Sequence, residues 1–141
     1  LRCDSGGAGK YRGGLGIRRD IKFVWPGHFL SITKKSKTPP WSLEGGLSTE
    51  PNTLLLFPDT DKSKSVGTYR TSVAEDEHIV SMSAGGGGFG PPTQRDPQLV
   101  LDDFLDDYVS LDAAENIYKV IIKDEKLDVE ATTKLRNEII E

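Results

Sequence analysis

Apolar residues in the first ninety positions come in short bursts separated by glycine and proline. Gly13-Gly14 leads into Leu15 to Val24, where Ile17, Ile21, Phe23 and Val24 suit one bent strand or two short ones. Pro26-Gly27 interrupts, and Phe29 to Thr33 then alternates apolar and polar. Thr38-Pro39-Pro40 and Gly45-Gly46 bracket Trp41, and Leu54 to Phe57 stops at Pro58-Asp59. Ser65 to Thr71 and His78 to Ser83 complete the set. Bursts at this spacing, without helical periodicity, predict an antiparallel sandwich or partial barrel over residues 1–95.

After Gln94 the period changes. Asp96-Pro97 sets a capping carboxylate before a proline at the first helical position, where its missing N–H costs nothing. Leu99, Val100, Phe104 and Leu105 then share one helical face, and Asp102, Asp103, Asp106 and Asp107 are expected on the other. A second helix is expected from Ser110–Asp112, with Asp112 and Glu115 at capping-box spacing and Ala114, Ile117, Tyr118, Ile121 and Ile122 on its apolar side. A third is expected over about 129–140, carrying Leu135, Ile139 and Ile140. The predicted class is α+β: a β-rich region (1–95) and two or three helices (96–141) packed on it or on a partner, together one structural unit.

Composition sharpens this picture. The chain has 141 residues, 35% hydrophobic and 28% charged, with 15 glycines. That length suffices for one domain with a real core, yet the apolar share is thin, so part of the surface is expected to pack on another chain. A single cysteine, Cys3, rules out an internal disulfide framework or a cysteine-rich zinc site. No apolar run approaches a membrane span. Without an apolar leader the chain is expected to be cytoplasmic, and its start at Leu1 rather than Met suggests a trimmed subunit or a fragment.

Charge is ordered along the chain: +7 over residues 1–40, −3 over 41–95 and −8 over 96–141. The basic third could face a phosphate surface, but Lys34, Lys35 and Lys37 lack interleaved aromatics and the acidic end would repel a polyanion. Nucleic acid and membrane are not expected partners.

Several motifs invite chemistry. Ser5 to Tyr11 looks like a phosphate loop but fails on spacing: Asp4 stands where the first glycine belongs, and Tyr11 where a magnesium-binding hydroxyl belongs. Gly85, Gly87 and Gly90 formally give a dinucleotide fingerprint, yet Pro91-Pro92 follows where a helix should open. The run Gly85-Gly86-Gly87-Gly88-Phe89-Gly90 still needs a physical reason, since each ordered glycine costs roughly 0.5–1 kcal/mol relative to alanine. Close approach of backbone to backbone, or positive φ, is the leading reason; an anion cradle of N–H groups is the second. His78 beside Glu75, Asp76 and Glu77 reads as a solvated turn, His28 as a turn residue, and Cys3 lacks a base. No catalytic or metal-binding set is legible, and the residues describe a scaffold or partner-binding domain.

Two stretches carry a resemblance. Asp4-Ser5-Gly6-Gly7-Ala8-Gly9-Lys10-Tyr11-Arg12-Gly13-Gly14-Leu15-Gly16 resembles the "DSGGxGxxRGGxG" segment of the hydantoinase B family. Gly85 to Gly90, Arg95-Asp96-Pro97, Val100-Leu101, Tyr108-Val109-Ser110, Ala113-Ala114 and Tyr118-Lys119-Val120 resemble that family's C-terminal end, and Pro39-Pro40-Trp41 with Gly45-Gly46 resembles its "PPWGxxGG" element. Ser42, Asp107 and Lys119 depart from the pattern by standing where the family usually has glycine, and Ala84 by standing where a proline usually precedes the run.

The resemblance implies hetero-oligomeric partners: a hydantoinase A-like subunit, which would hold ATP, and a larger hydantoinase B-like subunit. ATP and a divalent metal are expected in those partners, and no cofactor is expected on this chain. The implied role is an accessory subunit of an ATP-dependent, biotin-independent carboxylase, like the separate small subunit of acetophenone carboxylases, completing a split hydantoinase B polypeptide. Two alternatives are the C-terminal part of a hydantoinase or 5-oxoprolinase type amidohydrolase, and a non-enzymatic binding module. No catalytic residue carries over. Asp4, Ser5, Gly6, Gly7, Arg12, Gly85, Gly86, Gly87, Gly88 and Gly90 are the candidate interface or structural-loop residues.

Overall fold

The computed structural model describes residues 1–138. Six strands form the first part: β1 (Arg18–Lys22), β2 (Gly27–Ser31), β3 (Thr53–Leu56), β4 (Lys64–Val66), β5 (Tyr69–Val73) and β6 (His78–Met82). A four-stranded antiparallel sheet runs in the order β1-β6-β3-β4, and β2 with β5 makes a separate two-stranded ribbon. The two pack together through Leu54, Leu56, Phe57, Val73 and Ile79, with Phe23, Phe29, Val66 and Tyr69 around them. Strand alternation explains the choice: Leu54 and Leu56 on β3 point inward, and so do Phe29 on β2 and Val73 on β5. Full burial of a Leu or Ile side chain is worth about 1.5–3 kcal/mol, so this small set carries the strand region.

Antiparallel strands in small sheets followed by helices match the predicted class; among the described residues the strands close no barrel. The expected Leu15–Val24 burst pairs only over Arg18–Lys22, and the expected Ser65–Thr71 strand is two strands broken at Gly67-Thr68. β1 is exposed along its whole length, an edge strand guarded by Arg18, Arg19 and Lys22.

Helix α1 (Pro97–Leu105) starts at Asp96, whose side chain accepts from the Gln98 N–H. Helix α2 (Leu111–Asn116) is shorter than its apolar pattern suggested, and Ile121 and Ile122 lie beyond it. Its cap is Ser110, which accepts from Ala113 N–H, and the Asp112–Glu115 pair takes no part. The third-helix position holds for α3 (Val129–Asn137), capped by Asp128; Ile139 and Ile140 lie outside the described residues. Between α2 and α3 a hairpin of β7 (Ile122–Lys123) and β8 (Lys126–Leu127) was not foreseen. Val100, Leu101, Val109, Ala113, Ala114, Tyr118, Val120 and Ile122 form the helical core, and Ala8 joins them from the N-terminal segment.

Candidate functional site

Three glycine-rich segments, residues 5–14, 43–47 and 85–90, meet between the strand region and the helices. They are held by main-chain hydrogen bonds: Gly7 N–H to Gly86 O (2.8 Å), Gly13 N–H to Gly7 O (2.9 Å), Gly88 N–H to Leu47 O (3.0 Å) and Leu47 N–H to Ala8 O (2.7 Å). The backbones touch without intervening side chains. A Cβ on Gly87 would fall on the Trp41 carbonyl oxygen, and one on Gly13 on that of Gly86. Backbone proximity is therefore what the glycine run is for. Positive φ applies within it only at Gly90, at 73°.

An anion cradle does not fit here. The N–H groups of Gly86, Gly88 and Gly90 donate to Gly14, Leu47 and Leu43 carbonyls, so they are not free to hold a phosphate. No group of three His, Cys, Asp or Glu gathers among the described residues. Neither a nucleotide nor a divalent ion is matched by the donor set of these residues. Cys3 is exposed, and partial burial beside Asp4 raises its thiol above the usual range, which opposes thiolate formation.

The layer is riveted to the helices by an ionic knot. Arg12 donates from Nε and Nη2 to both carboxylate oxygens of Asp103, each at 3.0 Å, and Arg95 Nη2 reaches the same carboxylate at 2.9 Å. The Arg12 guanidinium also lies over the Tyr108 ring, 5.4 Å from its centre, and Arg95 donates to the Lys10 carbonyl. Asp103 is only 7% exposed, so it does not share the solvent side of α1 expected for the aspartate run. A carboxylate clamped by two guanidiniums can be buried where a lone one cannot. Its position three residues after Val100 was the available signal, since i and i+3 share a helical face.

The other expected residues fall on the same junction. Asp4 N–H donates to Tyr108 O at 3.0 Å, and its carboxylate accepts from Ser110 N–H at 2.8 Å, joining the N-terminal segment to the start of α2. Ser5 is buried; its hydroxyl donates to Arg2 O and accepts from Gly16 N–H. Gly6, Gly7 and Gly85 to Gly90 form the layer itself. Arg136 of α3 went unnoticed in the sequence: it donates to the carbonyls of Arg95 and Tyr118, and burial lowers its pKa. Burial also pushes the Tyr118 phenol up to about 12.

The junction thus has the properties of a structural seam, and its outer surface carries exposed Tyr11, Leu43 and Phe89. Known proteins share this chain's sequence and fold almost from end to end. An uncharacterised protein of Methanocaldococcus jannaschii is 39% identical over 140 residues, covering 96% of this chain and 25% of that protein. The B-type polypeptide of a D-/L-hydantoinase from a Pseudomonas species is 32% identical, covering 96% of this chain and 24% of its own. The chain spans about a quarter of the length of these curated relatives. Among solved structures, the ATP-dependent caprolactamase of Pseudomonas jessenii matches with a TM-score of 0.81 and 28% identity over 97% of this chain and 25% of that one. Nucleotide-free acetone carboxylase shares the fold, with a TM-score of 0.74 and 23% identity over 99% of this chain and 24% of its own. The model of the hydantoinase B/oxoprolinase family matches residues 1–92, which include all three glycine segments and Arg12 of the knot; the chain belongs to that family.

Proposed function

We propose that this chain is a non-catalytic structural part of an ATP-dependent, hetero-oligomeric enzyme of the hydantoinase B/oxoprolinase family, with ATP and a divalent metal held by partner subunits. The observation that carries the proposal is the seam. Its charged and polar groups are spent on holding three backbone segments to the helices, and large apolar side chains are left outside, Trp25 at 77% and Tyr11 at 62% exposed. A face of that kind gains free energy only by being covered. The partners are an A-type subunit and a larger B-type body.

For the assembly's reaction, ketone carboxylation of the acetophenone carboxylase kind is one reading, resting on motif resemblance and chain size. Ring opening of a cyclic amide is the other, and it draws support from the greater identity to the hydantoinase polypeptide and the caprolactamase than to acetone carboxylase. Purification of the native complex tests the structural role: the chain is expected to travel with an A-type and a larger B-type subunit. A stable monomer that binds neither overturns it. ATP hydrolysis by that complex, stimulated by hydantoins or lactams but not by ketone with bicarbonate, selects the amidohydrolase; the reverse selects the carboxylase.

A further inference from the structure

We infer that the outer ridge of the glycine layer, Tyr11, Leu43 and Phe89, is the seat for an apolar segment of the remaining three-quarters of a hydantoinase B-type polypeptide. The inference rests on the structural role proposed above and adds which face is covered and by what.

The ridge follows from the layer's construction. Phe89 is bridged to Tyr11 on one side and to Leu43 on the other, so three side chains from three segments stand in a row. The flanking Gly88 and Gly90 are buried against neighbouring residues, which leaves Phe89 no room to turn inward. Tyr11 and Phe89 rings lie 6.2 Å apart, and exposures are 62% for Tyr11, 55% for Leu43 and 46% for Phe89. Beside them opens a depression of about 550 Å³ lined by Lys10, Tyr11, Glu44, Phe89, Pro91 and Gln94. An apolar centre with one cation and one anion at its margin has the anatomy of an interface core and rim.

The occupant follows from length. The same fold persists within caprolactamase, where it makes up 25% of the polypeptide. In a chain of that kind the ridge has the other three-quarters of the molecule available to cover it. The competing apolar face, on the β2–β5 ribbon, is interrupted: Leu30 stands opposite Arg70, and His28 opposite Ser72. It lacks both the row of aromatics and the depression.

The test supplies the remainder of a B-type polypeptide as a separate chain and measures its affinity by titration calorimetry. Wild type is expected to bind, Phe89→Glu and Leu43→Glu to lose at least about tenfold, and Leu30→Glu and Ile32→Glu to stay within about threefold. Phe89→Ala, which keeps the main-chain bridges, guards against misfolding and is expected to weaken binding in the same direction with an unchanged melting temperature. If the ribbon variants weaken binding and the ridge variants do not, or if neither does, the face is wrong while the structural role stands. If Phe89→Glu instead dissolves a self-association of this chain, the occupant is wrong. If wild type does not bind at all, the structural role falls, and this inference with it.

Discussion

Asp103 is the residue on which the most depends. One carboxylate neutralises two guanidiniums, with side-chain exposures of 15% for Arg12 and 11% for Arg95. Removing it strands two charges in a poorly solvated place, and breaking a buried pair of this kind costs about 3–5 kcal/mol. Asp103→Ala is therefore expected to lower the urea midpoint by that equivalent, and the less buried Asp102→Ala to change it little. Arg12 was legible because it sits inside a motif. Asp103 was not, because a run of four aspartates reads as a solvated face unless the partner charges, distant in sequence, are known. Tyr118 gives a pH signature. Burial raises its phenol to about 12 from an ordinary 10. Below pH 10 both folded and unfolded chains keep the proton and the stabilisation is complete; between 10 and about 12 only the unfolded chain ionises, so stability falls, by on the order of 2 kcal/mol. Tyr118→Phe is expected to remove that part of the alkaline slope in denaturation midpoints measured across the window.

At the scale of elements, turn chemistry separates what could be read from what could not. Caps at Asp96 and strands bounded by Pro-Gly obey local rules, and they came out near their predicted places. The β7–β8 hairpin did not, because its turn residues Asp124 and Glu125 take φ of 48° and 58°, a conformation for which Asn-Gly or Asp-Gly is the usual signal. Helix α2 stops early for a related reason: Lys119 has φ of 56°, so the chain leaves the helical path just after Tyr118. Lys119 and Asp107, at 58°, both stand where the family pattern has glycine, and the structure shows why glycine suits those sites. The left-handed conformation costs a residue with a Cβ about 1–2 kcal/mol, partly offset by the greater entropy glycine loses on folding. Lys119→Gly is expected to raise stability by roughly 0.5–1 kcal/mol in thermal melts, and Asp107→Gly by less, because aspartate tolerates this region.

For the molecule as a whole, the fold class was legible and the seam only half so. Glycines announce that something must come close; they do not say what, and here it is three segments far apart along the chain. The basic beginning and acidic end, +7 and −8, are brought together where Arg12 meets Asp103. That closure has a consequence for the chain's continuity. The exposed turn at residues 58–63 lies between segments already interlocked on both sides of it: β1 and β2 pair with β6 and β5 across the gap, and the glycine segments do the same. A protease that cuts there would yield two pieces, one from each side of Asp61, that still elute as a single particle at native pH and part only in denaturant. Expressed separately, such halves should find each other and rebuild the intact form, and failure of the two to reassociate would show that the seam does not hold them.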